Sequence, residues 1–144
     1  MLKVAITGAT GFIGTVLLRH LVEQGDLVKA LYRPASTPRS NQTDSIQWLR
    51  GDLDDIESLR ALVDGVDAVI HCAGAVRGAS LEQFEAANAA GVRHLIDAAV
   101  EQKVPRFLLM SSLAAREPTL SAYASSKRSG EAVLEDYQDR ISCD

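Results

Sequence analysis

The sequence has only two cysteines, and Phe, Trp and Tyr together make up 5% of its 144 residues. Cys72 and Cys143 are too few and too irregularly placed for a disulfide framework or a metal site. Cys72 stands in an apolar run and is expected to be a reduced core thiol. No apolar run reaches the roughly 18 residues a membrane helix needs, so no membrane partner is expected. The first apolar stretch is short and ends in glycine, which argues against a signal peptide. Basic residues are scattered, and the net charge of −4 gives no reason to expect nucleic acid as a partner. No internal repeat or low-complexity tract is visible. A reducing, cytoplasmic setting is the expectation.

What is present has the character of one globular domain. Hydrophobic residues make up 47% of the chain and charged residues 24%, both ordinary values. Strand and helix patterns alternate. Strands are expected over 2–6, 27–32, 46–49, 68–71 and 107–110. Helices are expected over 12–24, with Ile13, Val16, Leu17 and Leu21 at helical spacing, and over 81–102 and 122–137. Asp54 is expected to cap a further short helix, with Glu57 completing a capping box. Residues 34–43, rich in Pro, Ser and Asn, read as a loop. This order predicts an α/β fold: a doubly wound parallel sheet of five strands with helices on both faces. Ligands of such sheets bind beyond the carboxyl ends of the strands. Gly8, Asp52, Ala73 and Ser112 each follow a strand end and so converge on one crevice.

The first strand runs into Thr7-Gly8-Ala9-Thr10-Gly11-Phe12-Ile13-Gly14. A glycine-rich turn feeding a helix N-terminus leaves backbone N–H groups and a partial positive charge facing a phosphate. The glycines permit the tight turn, the approach of a pyrophosphate and close helix–strand packing. An acidic residue about twenty positions on marks an NAD ribose site. At that place the chain has Arg33, whose planar cationic fork suits a 2′-phosphate, so NADP is favoured with NAD as the alternative. A solvated surface arginine is the plainer reading. Asp52 is positioned to accept from an adenine amino group, with Leu53 on the ring; a turn residue is the alternative for Asp52.

Near the other end, Tyr123 and Lys127 stand four residues apart on one helix face. An ammonium beside a phenol stabilises the phenolate, and a phenol so tuned exchanges a proton with an alcohol or ketone near neutral pH. Ser112, beside Ser111, would hold the substrate oxygen. Tyr-xxx-Lys alone is more often a surface pair. His20 and His94 read as surface or boundary residues, His71 as a strand end whose backbone matters more than its ring, and Trp48 as a packing residue.

With Gly51-Asp52-Leu53, His71-Cys72-Ala73-Gly74, Asn88-xx-Gly91 and Ser111-Ser112, these motifs make the chain resemble a short-chain dehydrogenase/reductase. The likeness is to the extended or atypical branch, which includes NAD-dependent epimerases and dehydratases. It covers nearly the whole chain and implies a Rossmann-type NAD(P)-binding domain over 1–144. It implies an oxidoreductase or epimerase/dehydratase that moves a hydride between nicotinamide and a carbon of a small-molecule substrate. Tyr123 would be the acid/base, Lys127 would bind the nicotinamide ribose and tune the phenol, and Ser112 would polarise the substrate. Gly8, Thr10, Gly11, Phe12, Ile13, Gly14, Arg33, Asp52, Leu53, Ala73, Gly74 and Lys127 would hold the cofactor. The family's helix-four asparagine corresponds to Asn88; a polar residue at a helix bend is the equal alternative. A non-catalytic NAD(P)-binding or redox-sensing domain is the second functional reading.

The chain departs from the family at Arg33, in the short segment from Ser112 to Tyr123, and at Asp144, where further strands and a substrate region are expected to follow. On that expectation it is an N-terminal portion that binds cofactor weakly and turns over poorly. Strand five would then be an uncovered edge. A homodimer through the last two helices, a habit of the family, would cover part of the exposed apolar surface.

Overall fold

The computed structural model describes residues 1–36, 43–78 and 80–144. Most of the loop expected over 34–43 therefore lies outside the described residues. Strands β1 (Lys3–Thr7), β2 (Leu27–Tyr32), β3 (Ile46–Arg50), β4 (Ala68–His71), β5 (Arg106–Leu109) and β6 (Ser142–Cys143) form one sheet in the order β3-β2-β1-β4-β5-β6. All neighbouring pairs are parallel. The chain winds outward from β1 to one edge, returns to β4 and continues to the other edge. This is the doubly wound order, and its reversal lies between β1 and β4.

The strand pattern follows from burial on both faces. Ala5, Val69, Phe107 and Leu109 point into the larger core, which α2 (Ile56–Val63), α4 (Gly91–Glu101) and α5 (Ala122–Glu135) complete with Leu59, Leu62, Leu95, Ile96, Val133 and Leu134. Ile6, Val28 and Ala30 point to the opposite face, where α1 (Phe12–Glu23) seats Leu18 with Leu17, Leu21 and Val22. Here one sequence expectation fails. Ile13 and Val16 are 50% and 58% exposed. The stripe that meets the sheet is shifted by about one residue, because Gly14 must face the turn.

Three further differences have local causes. The cap of α2 is Asp55, whose carboxylate accepts from Ser58 N–H at 3.3 Å, and not Asp54; Glu57 instead pairs with Arg60 at 2.9 Å. The long helix expected over 81–102 is three pieces: α3 (Leu81–Glu85), a π-helical segment (Ala86–Ala90) and α4. Among the described residues the sheet has six strands rather than five. After α5 the chain turns back through buried Tyr137 and Ile141, and β6 pairs Ser142 with Arg106 and Cys143 with Phe107. The edge of β5 is thus covered along that stretch. Among the described residues no helix is long and apolar enough to cross a membrane, and no cluster of side chains is arranged to hold a metal ion.

Candidate functional site

Among the described residues four α-helices begin directly from a loop, and α1 is built differently at its start. Asp55, Ser80 and Ser121 each accept a first-turn N–H of α2, α3 and α5. The N-cap of α1 is Gly11, which has no side chain to do so, and its first turn carries no acidic residue. The leading amides and the positive end of the dipole are left facing the turn. The turn backbone lies hard against its surroundings. Gly8 adopts φ +72°, and a Cβ there would come within 2.6 Å of Ala73 N. A Cβ at Gly14 would sit 2.0 Å from Gly8 O. Neither position accommodates a side chain.

This turn forms one wall of a cleft of about 750 Å³ at the carboxyl ends of β1, β2, β3 and β4. Of the residues expected to hold a cofactor, Gly8, Thr10, Gly11, Arg33, Asp52, Leu53, Ala73 and Gly74 line it. Phe12, Ile13 and Gly14 stand behind the turn rather than in the lining, and Phe12 is 92% exposed. At the far end, Ser36 N–H donates to Arg33 O at 2.8 Å, so a tight turn after β2 puts both side chains on the cleft wall. Asp52 turns one carboxylate oxygen back to Leu53 N–H at 2.7 Å, and His94 Nδ1 meets Leu53 O at 2.8 Å. His94, expected at a surface or boundary, is half-buried and also ties α4 to this loop.

The opposite wall is fastened by Asn88, in the π-helical segment and 2% exposed. Its amide accepts from Ala75 N–H at 2.9 Å and donates to Ala75 O and to Ser126 Oγ, both at 3.0 Å. A bulge in the helix thereby positions the segment after β4, a common use of π-turns. Behind the same segment lies His71, fully buried, with Nδ1 2.6 Å from Thr7 Oγ1. Thr7 Oγ1 also accepts from Ala73 N–H at 3.3 Å. The ring of His71, not only its backbone, therefore joins the exits of β1 and β4. Burial, followed by the charge of Lys127, pushes its pKa down to about 3. Cys72 is half-buried and lines the cleft instead of filling the core; burial raises its thiol pKa, with Lys127 pulling the other way.

Ser112, Tyr123 and Lys127 are not in the cleft lining. Ser112 Oγ caps a 3-10 turn (Leu113–Arg116) by accepting from Ala114 N–H at 3.2 Å. Tyr123 is half-buried, its ring edge-on to Phe84 at 6.0 Å. Lys127 is 6% exposed and donates to Met110 O at 2.8 Å. It lies just behind the cleft: a Cβ on Gly74 would be 4.0 Å from Lys127 Nζ and 2.8 Å from Asn88 Oδ1. Burial lowers the pKa of Lys127, and Glu131 and then Cys72 oppose that shift. Sequence reasoning missed Ser36 and Arg77, which also line the cleft. The turn after Arg33 was the available signal for the first; nothing in the pattern marks the second.

The model of the NAD dependent epimerase/dehydratase family matches residues 4–143. The chain belongs to that family. This epimerase/dehydratase-family chain is 42% identical over 131 residues to the ceramide reductase of Caulobacter vibrioides, covering 91% of its own length and 41% of the relative. It is 31% identical over 140 residues to cinnamoyl-CoA reductase 1 of Arabidopsis thaliana, covering 92% and 39%. The chain thus spans about two fifths of these relatives' length. Among solved structures, the Bordetella bronchiseptica enzyme WbmH in complex with NAD+ superposes with a TM-score of 0.85 over 99% of this chain and 54% of that one. At 24% identity that likeness shows the fold.

Proposed function

We propose that this chain is the dinucleotide-binding portion of an NADP(H)-preferring reductase that acts on a carbonyl of a small-molecule substrate. The observation that carries this reading is the uncapped N-terminus of α1 opening on a cleft with Arg33 at its far end. Three lines support the fit. The cleft volume, about 750 Å³, lies within the roughly 300–1,000 Å³ of small-ligand sites. The turn at Gly8 and Gly14 excludes side chains where a pyrophosphate must approach. The relatives named above are reductases.

In this reading the amides at the start of α1 hold the pyrophosphate, and Arg33 with Ser36 takes the 2′-phosphate. Asp52 and Leu53 flank the adenine, while Ala73 and Gly74 lie beside the nicotinamide. The bound dinucleotide supplies the hydride. Tyr123 delivers the proton to the substrate oxygen, Lys127 stabilises the phenolate left behind, and Ser112 orients that oxygen. Epimerase or dehydratase chemistry would use the same residues for its first step.

Calorimetric titration tests the cofactor. NADPH is expected to bind at least about tenfold more tightly than NADH, a margin that a charge-assisted pair of about 1.5–3 kcal/mol supplies. Arg33→Ala is expected to erase that margin, and a clear preference for NADH in the unaltered chain would contradict the reading. A non-catalytic binding domain is the second reading, favoured by Ser112 spending its hydroxyl on a cap and by Tyr123 standing outside the cleft lining. Tyr123→Phe separates the two. For a reductase, carbonyl reduction by the chain, however slow, falls by about a hundredfold or more while NADPH affinity stays. For a binder nothing measurable changes.

A further inference from the structure

Glu131 has no part in the chemistry described above, yet its carboxylate ties α5 to the chain just beyond β5. It follows Lys127 by four residues, so both project from one face of the helix. Its Oε1 accepts from Ser111 Oγ at 2.5 Å. Ser111 follows Met110, whose carbonyl holds Lys127 Nζ at 2.8 Å. Two adjacent residues just beyond β5 thus hold two residues one turn apart on α5. On the solvent side, Arg128 Nη1 lies 3.6 Å from Glu131 Oε2.

The buried ammonium needs this arrangement. Lys127 has surrendered nearly all its contact with water, and its fixed partner is a carbonyl dipole rather than an anion. An ammonium taken from water without an opposing charge is costly. The titratable groups around it are Tyr123 and Glu131, four residues to either side on its own helix, His71 at the end of β4, and Cys72 after it. Asn88 adds a neutral amide near the same point. Near neutral pH the histidine is uncharged, and burial keeps the thiol protonated. The carboxylate of Glu131 is the negative charge that remains.

We infer that Glu131 is a positioning residue for Lys127: held by Ser111, its carboxylate clamps the end of β5 to α5 and supplies the counter-charge to the buried ammonium. Its importance to catalysis rests on the functional reading above; the charge pairing does not. The test is a pH titration of the Lys127 side-chain amine by NMR in the chain without cofactor, assigned by comparison with Lys127→Arg. Glu131→Gln keeps an acceptor for Ser111 and removes the charge. It is expected to lower the titration midpoint, because removing an opposite charge disfavours the ammonium. An unchanged midpoint overturns the inference. Should Glu131→Gln fail to fold, Ser111→Ala carries the test: freeing the carboxylate is expected to lower the midpoint by a smaller amount, and no change overturns the clamp. NADPH titration of the same samples keeps the two claims apart. A lowered midpoint in a chain that binds no dinucleotide upholds the charge pairing and defeats the functional reading.

Discussion

His71 occupies the core with Nδ1 bonded to Thr7 and Nε2 without a partner among the described residues. Whichever nitrogen carries the proton, one polar position of the ring is left unmet, and the charged form would be worse still. The pH consequence follows from the depressed pKa, about 3 in the folded chain against about 6.5 unfolded. Between these values the unfolded chain binds the extra proton and the folded chain does not. Stability therefore falls as pH falls, by up to about 1.4 kcal/mol per pH unit from this residue. The contribution is complete above pH 6.5 and fully lost near pH 3. Urea unfolding at pH 7 and pH 5 checks this: His71→Gln is expected to lose less stability between the two than the unaltered chain. Equal losses would show that His71 does not titrate as described.

At the scale of elements, the decisive contact is between α1 and the glycine turn. Gly14→Ala would drive a methyl group into Gly8 O, and backbone on both sides leaves little freedom to yield. A loss of about 2 kcal/mol or more is expected from such overpacking, read as a lower thermal midpoint, together with loss of NADPH binding. A stable variant that still binds would mean the turn relaxes without cost. How far these elements were legible depends on which contacts made them. The bounds of β2 and β4 and the start of α1 follow from local apolar runs and glycine, and the residues alone indicate them. The buried face of α1 is set by Gly14 meeting the turn, a tertiary fact that apolar spacing at Ile13 and Val16 obscured. The π-helical turn lies in an alanine-rich stretch whose composition is equally good α-helix, and only the three bonds of Asn88 reveal why it widens. The role of the His71 ring was hidden likewise: the register that places it beside Thr7 joins residues 64 positions apart.

Across the whole molecule, the sheet order sets what the cleft can hold. The reversal between β1 and β4 opens the crevice, β2 and β3 carry Arg33 and Asp52 to one end, and Asn88 with the segment after β4 builds the other. The glycine turn, Arg33 and the Asp52–Leu53 step were readable from spacing because their backbone positions follow directly from strand ends. The relation of Lys127 to the cleft was not, since it depends on how α5 packs against β5. The central claim is that a dinucleotide lies along this crevice with its pyrophosphate on α1. Amide chemical-shift mapping during NADPH titration tests it most directly. The largest shifts are expected at Gly8, Gly11, Phe12, Ile13, Arg33, Leu53, Ala73 and Gly74. Saturating NADPH that leaves those amides unmoved, or that shifts only residues between α4 and α5, would contradict the claim.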